Sequence, residues 1–194
     1  MKENNNDEVL ILGLPNSGKS TLVNVLSRKK VSIIGSTPNT TRDKVSNLST
    51  INDKTFVISD LPGYLEDPDE INEKFQNKLE NYINEADIIL FVIDVESRNY
   101  KGLDRLNNIL RRYKDKTIFT VFNKCENFKS YDLNKNMYKY IFDEDFYISS
   151  IHKIGTEELS NALSKKITNT KITNINNNQN SIVLIGRPNS GKST

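Results

Sequence analysis

The sequence predicts an α/β fold, a mostly parallel sheet with helices on both faces. Three observations carry that expectation. Short apolar runs alternate with longer amphipathic stretches along residues 8–167, as strands alternate with helices in crossover units. The runs are almost continuously β-branched or aromatic, the mark of strands covered on both faces. The first of them ends at a glycine and leads through Gly-Lys-Ser into a helical stretch, the order of an anion-binding turn.

The elements follow in order. EVLILG (8–13) is a strand, and 19–27 is helical. TFVISD (55–60) and DIILFVID (87–94) are strands, with a helix expected over 70–83 between them. A helix over 102–113 stacks Leu103, Leu106, Ile109 and Leu110 on one stripe, the spacing of a core-facing side. TIFTVFN (117–123) and DFYISS (145–150) are the last strands, and 155–167 the last helix. Ligands of such sheets bind at the carboxyl ends of the strands.

Composition bounds the reading. The chain of 194 residues is 36% hydrophobic and 27% charged, which suits a globular protein with room for one ordinary α/β domain. A net charge of +2 does not argue for DNA or any nucleic acid by itself. The single cysteine, Cys125, excludes an internal disulfide and fits a reducing compartment. The N-terminal MKENNNDE has no apolar signal core, and the apolar runs at 88–93 and 118–122 are far too short for a membrane span. A cytoplasmic location is expected.

The chain also repeats itself. Residues 11–21 read ILGLPNSGKST and residues 184–194 read LIGRPNSGKST. Between them, TNTKITNINNNQN (168–180) is polar and without aromatics, as linkers are. The expected organisation is a polar, disordered N-terminus at 1–7, a first domain at 8–167, a linker at 168–180 and the opening of a second domain at 181–194. That opening carries a second loop of Gly186, Arg187, Pro188, Asn189, Ser190, Gly191, Lys192 and Ser193. The helix that would complete its site is absent, so the sequence is expected to be a piece of a longer chain.

Gly13, Leu14, Pro15, Asn16, Ser17, Gly18, Lys19 and Ser20 match G-x-x-x-x-G-K-[ST], followed by Thr21. Glycines at both ends let the backbone wrap an anion closely. Successive N–H groups and a helix N-terminus then face the phosphates. Lys19 supplies a full charge to the β and γ phosphates, and the Ser20 hydroxyl is placed for Mg²⁺. With a strand before and a helix after, the motif specifies a P-loop NTPase fold.

Asp60, Leu61, Pro62 and Gly63 follow a hydrophobic strand, where an aspartate can reach Mg²⁺ through water. Gly63 could present its N–H to a γ-phosphate. The polar stretch GSTPNTTRDKVS (35–46) reads as a mobile loop of the kind ordered by metal and γ-phosphate, with Thr40 or Thr41 as the metal contact. Asn123, Lys124, Cys125 and Glu126 form N-K-x-E at a strand end. A carboxylate there can accept from guanine N1 and its exocyclic amine, a pair adenine does not offer. Asn123 would orient the loop and the Lys124 stem would cover the base plane. Ser149, Ser150 and Ile151 would close over the base with backbone N–H groups.

G-x-P-N-x-G-K-S-T, P-N-T-T-R-D, D-L-P-G, N-K-x-E and S-S-I, in this order, resemble the translation-factor-related GTPases. The tandem arrangement resembles the bacterial double-GTPase family Der (EngA). That resemblance implies GTP and GDP as ligands, Mg²⁺-dependent hydrolysis, and a role in assembling the large ribosomal subunit. It assigns the switch threonine to Thr41 and gives Lys19, Thr41 and Gly63 the catalytic contacts. Ser20, Thr41 and Asp60 become the Mg²⁺ set, and Asn16 matches an asparagine that binds a stimulating K⁺. Tyr64 stands where Ras-like enzymes place a water-orienting Gln. The sequence departs from the pattern at Glu126 (usually Asp), Ser150 (usually Ala) and Asn39 (usually Gly). The longer Glu126 bears on base selectivity.

Cys125 reads as a neutral filler rather than a nucleophile. His152 has no partners at metal spacing. Arg28-Lys29-Lys30 and Lys165-Lys166 read first as helix-end charges. Two further function classes remain beside the hydrolase. One is a nucleotide-dependent ribosome-binding module with negligible turnover. The other is a P-loop kinase, for which the Arg-rich lid and acceptor site are missing. A single-domain Era-like or tRNA-modification GTPase would fit 8–167 but not the second loop.

Overall fold

A computed structural model of the protein describes residues 6–27, 45–61, 73–126 and 135–168. Six strands form one sheet in the order β2-β3-β1-β4-β5-β6. They are β1 (Asp7–Leu12), β2 (Val45–Ile51), β3 (Lys54–Asp60), β4 (Ile88–Asp94), β5 (Thr117–Asn123) and β6 (Glu144–Tyr147). All neighbouring pairs run parallel except β2 with β3. The helices are α1 (Lys19–Leu26), α2 (Glu73–Glu85), α3 (Tyr100–Leu110) and α4 (Thr156–Lys166), with a short 3₁₀ helix at Lys135–Tyr140. The α/β expectation of a mostly parallel sheet wound on both faces is met.

Alternation along each strand splits the core in two. Val9 and Ile11 of β1 join Leu90 and Val92 of β4 under α1 and α4, with Leu22, Leu26, Leu159 and Leu163. Leu10, Leu12, Ile89, Phe91 and Ile93 face α2 and α3, with Leu79, Ile83, Leu103 and Leu106. Both faces of β1 and β4 are therefore covered, which is why their sequences are hydrophobic without a break.

The register levels the carboxyl ends within two pairs of strands, and β4 runs three residues past β1, whose last residue Leu12 lies beside Phe91. Ile11 of β1 lies beside Asp60 of β3, and Asp94 of β4 lies beside Asn123 of β5. Four strands thus deliver their last residues to one edge, where the polar groups of the site collect.

Several expectations change in detail. β2 is an edge strand that the sequence reading did not anticipate, and it takes Val45 and Ser46 from the loop expected over 35–46. Among its residues Leu48 and Ile51 are buried while Ser46, Asn47 and Thr50 are not, so its apolar signal is sparse. β6 stops at Tyr147, short of the DFYISS strand. Ser149 instead bridges to Ile154 across a turn. α3 starts two residues before Gly102 because the Asn99 side chain accepts from Gly102 N–H at 3.0 Å, a regular N-cap. It ends at Leu110 rather than Tyr113, where tighter bonds from Arg112 and Tyr113 close the helix. α2 runs to Glu85, and its expected start at 70–72 lies outside the described residues. Most of the 168–180 linker and the whole of 1–5 and 181–194 also lie outside them.

Two long-range contacts close the domain. Lys54 Nζ donates to Ser164 O and Ile167 O, each at 2.7 Å, at the carbonyl-rich end of α4. Thr168 N–H donates to Asp7 Oδ2 at 2.7 Å, joining the last described residue to the start of β1. Among the described residues no helix is long and apolar enough to cross a membrane.

Candidate functional site

The loop between β1 and α1 has the backbone of an anion cradle. A Cβ on Gly13 would collide with the Val92 carbonyl oxygen, so only glycine lets the loop leave β1 this close to β4. Asn16 has φ 62° and Gly18 φ 88°, two left-handed residues that turn the chain back on itself. Gly18 caps α1 without any side-chain hydrogen bond, and the first turn of α1 has no acidic residue. Among the described residues no side chain caps the N–H groups of that turn, and the helix dipole favours an anionic acceptor there. Leu14 is buried against Gly102, while Pro15 and Asn16 are exposed. Thr21 stands half-buried in the first turn.

Lys19 Nζ donates to Leu14 O at 2.8 Å, spanning the loop. Burial pushes the Lys19 ammonium below the usual lysine range, and the Asp60 carboxylate pulls it back up. A desolvated cation held over an anion cradle is an electrostatic trap for phosphate. Ser17 adds a buried hydroxyl with no hydrogen-bond partner among the described residues.

Next to the lysine, Ser20 Oγ donates to Asp60 Oδ2 at 3.1 Å. The other oxygen, Asp60 Oδ1, is buried and has no hydrogen-bond partner among the described residues. A hydroxyl and a carboxylate side by side, one oxygen buried without a donor, make a donor set that suits a hard divalent cation such as Mg²⁺. Leu61 is buried beneath this corner. Thr41, Pro62, Gly63 and Tyr64 lie outside the described residues, as does the second loop at 186–193.

The opposite end of the cradle is built on Asn123. Its Nδ2 donates to Ser17 O at 2.8 Å. Its Oδ1 accepts from Ser150 N–H and from Ser150 Oγ, both at 3.0 Å. One buried amide therefore ties the phosphate loop to the segment after β6. Ser149 N–H donates to Ile154 O at 3.0 Å. The Ser149 and Ser150 N–H groups are thus bonded within the protein, which holds in place the segment expected to close over the base. Ile151 is 69% exposed at the tip.

Lys124 has φ 70°, strained for a residue with a side chain. It is held there by Asn123 before it and by Cys125 N–H, which donates to Ile148 O at 2.9 Å. Lys124 Nζ pairs with Asp94 Oδ2 at 2.6 Å. Asp94 is a site residue the sequence reading missed. Its signal was present, because it ends β4 as Asp60 ends β3. Cys125 is buried and its thiol is pushed up to about 11 by burial, so it is no nucleophile. Glu126 is exposed, with Oε1 4.0 Å from His152 Nε2.

The chain matches, over residues 8–124, the family described as "50S ribosome-binding GTPase". It is 36% identical over 192 residues to the GTPase Der of Rickettsia prowazekii, and 35% identical to that of Rickettsia bellii. Each alignment takes in 96% of this chain but 42% of the relative, so the chain spans about two-fifths of their length. Among solved structures, a point variant of Aquifex aeolicus Era bound to GDP and aluminium fluoride aligns with a TM-score of 0.61 at 29% identity, covering 84% of this chain and 57% of Era. The G domain of the T. maritima FeoB iron transporter aligns with a TM-score of 0.62 over 82% of this chain and 98% of that domain. At 23% identity this last likeness concerns the fold alone. With the cradle, the Ser20–Asp60 corner and the Asn123 tie all falling where that family match runs, the chain belongs to the 50S ribosome-binding GTPase family.

Proposed function

We propose that residues 8–167 are a guanine-nucleotide switch domain that binds GTP and GDP, hydrolyses GTP, and serves assembly of the large ribosomal subunit. The observation that carries this reading is the Asn123 amide, which joins the phosphate loop to the N-K-x-E and S-S-I segments. A nucleotide bound along that line would have its phosphates at α1 and its base beside Lys124 and Glu126.

The roles follow from chemistry. Backbone N–H groups from Gly18 to Ser20 and the Lys19 ammonium stabilise the phosphate charge and its build-up during hydrolysis. Ser20 and Asp60 hold Mg²⁺, with Thr41 as a further ligand. When bound, Mg²⁺ neutralises phosphate oxygens and orients the nucleotide. Gly63 offers its N–H to the γ-phosphate. Glu126 reads guanine, and Asn123 and Lys124 position and cover the base. Asn16 supplies a K⁺ contact, so turnover rises in KCl over NaCl. Residues 181–194 open a second GTPase domain. Support for that tandem reading is the 192-residue alignment with GTPase Der, which runs past the linker.

The test uses the full chain with Mg²⁺ and fluorescent GDP and ADP, followed by phosphate release from GTP in KCl and in NaCl. Tight GDP binding, exclusion of ADP and K⁺-raised turnover are expected. Equal binding of GDP and ADP would overturn guanine recognition. GDP binding without turnover, even with ribosomal subunits present, would favour a nucleotide-dependent docking module instead.

A further inference from the structure

Among the described residues of the site, Asp94 is the one charged side chain whose part is not explained by the phosphates, the metal or the base edge. It closes β4 directly beside Asn123 in the register. One carboxylate oxygen, Oδ1, accepts from the Glu96 N–H at 2.9 Å, which fixes the group against its own turn. The other, Oδ2, takes the Lys124 ammonium at 2.6 Å. Val95 N–H donates to Asn123 O at 3.2 Å, so the backbones of the two segments are also joined here.

This arrangement matters because of what Lys124 would otherwise do. A lysine side chain carries about 2 kcal/mol of rotamer entropy and its ammonium prefers bulk water. Lys124 sits on a left-handed backbone at φ 70° and is only half-buried. Without an anchor its stem would sample many directions, and covering a base would cost that freedom at each binding event. A carboxylate at 2.6 Å, itself mostly buried, removes the cost beforehand. The pair is charge-assisted and short, the stronger kind of hydrogen bond.

We propose that Asp94 is a positioning residue for base binding, holding the Lys124 ammonium so that the lysine stem is laid out for the base before nucleotide arrives. The inference rests on the guanine-nucleotide reading above and deepens it. Both Asp94 carboxylate oxygens are engaged within the protein, so Asp94 governs how tightly a purine is held and not which purine is chosen. Glu126 carries the choice.

The experiment is a double-mutant cycle on the full chain, with GDP and inosine diphosphate affinities measured for the wild type, Asp94→Asn, Lys124→Met and the pair combined. Asp94→Asn is expected to weaken GDP about tenfold. In the Lys124→Met background the same change is expected to cost less than about twofold, because its partner is gone. The ratio of GDP to inosine diphosphate affinity stays the same in Asp94→Asn, whereas Glu126→Gln lowers it. Asp94→Glu keeps the anchor and restores most of the affinity, which a loss of fold in Asp94→Asn would not mimic. An equal cost with and without the lysine ammonium, or no cost at all, overturns the proposal while leaving guanine binding by the wild type intact. Failure of the wild type to bind GDP overturns the guanine reading and this inference with it.

Discussion

Asn123 Nδ2 donates to Ser17 O at 2.8 Å across 106 positions of sequence, and this bond makes one site of two motifs. The phosphate loop leaves β1 and the N-K-x-E segment leaves β5, with β4 between them in the sheet. Neither strand end would fix the other. The buried amide does so with both of its functional atoms, because Oδ1 takes two donors from Ser150.

Replacing Asn123 with Ala should therefore harm fold and binding together. Three hydrogen bonds disappear, and Ser17 O and Ser150 N–H are left buried without these partners. The expected loss of stability is about 2–4 kcal/mol. Chemical denaturation reads the loss, and GDP titration of the folded fraction should show weaker binding. Asn123→Asp is the sharper variant. It keeps the acceptor for Ser150 and turns the donor toward Ser17 O into a second acceptor. Stability equal to wild type in Asn123→Asp would sink the assignment of the Ser17 bond.

The two left-handed residues of the loop make opposite predictions. Gly18 has φ 88° and a Cβ there would run into Asn123 Nδ2. Gly18→Ala costs about 1–2 kcal/mol for the backbone alone and displaces the amide as well. Asn16 has φ 62°, and its exposed position brings no such obstacle. Asn16→Gly should leave the melting temperature within a few degrees of wild type, as asparagine tolerates this region and glycine prefers it. Thermal melts of the two variants, side by side, check the contrast.

Legibility in the sequence followed packing. β1, β4 and β5 could be read because burial on both faces forces an unbroken apolar run, as in Ile88 to Ile93 of β4. β2 could not, since this antiparallel edge buries only Leu48 and Ile51 as apolar side chains, with the polar Ser49 buried beside them and Ser46, Asn47 and Thr50 less covered. The phosphate loop was legible because glycine spacing is a backbone requirement. Gly13 proves it by the carbonyl of Val92 that any side chain would strike. Asp94 is marked by its place at the end of a strand, but its pairing with Lys124, like the Ser150 N–H bond to Asn123, depends on which strands become neighbours. The 3₁₀ helix at Lys135–Tyr140 was hidden for a similar reason. Its Tyr140 is buried through contacts with Phe91 of β4 and Asp104 of α3, which no local pattern announces.

Cys125 gives a prediction in pH. Its thiol is pushed up to about 11 from an ordinary 9.0, so the folded state keeps the proton that the unfolded state releases. The stabilisation is complete below about pH 9 and is lost as pH rises toward about 11. Tyr140, pushed up to about 12 by burial and by Asp104, extends the decline above that window. Stability measured from about pH 7 to about pH 11 should therefore fall less steeply in Cys125→Ala than in wild type. At about pH 8, alkylation of the native thiol should run about a hundredfold slower than that of an ordinary cysteine. Rapid labelling of native protein would contradict both statements.

Lys19 should show a conflict between stability and function. Burial holds its ammonium below the ordinary lysine range, against a smaller opposing pull from Asp60, so folding is penalised for carrying this charge. Lys19→Met keeps most of the stem and removes the penalty, so the variant should melt no lower than wild type. Its affinity for GDP should fall by about a hundredfold or more, as a full charge on the phosphates is lost. The pH dependence has a definite sign. In wild type the folded state loses the Lys19 proton before the unfolded state does, so stability rises relative to Lys19→Met as pH climbs toward the unfolded value of 10.5. Melting curves of the two proteins at several pH values test this directly. A Lys19→Met protein that melts well below wild type at neutral pH would mean that the bond from Nζ to Leu14 O outweighs the cost of burying the charge. The lysine would then be a structural brace for the loop as much as a charge kept ready for phosphate.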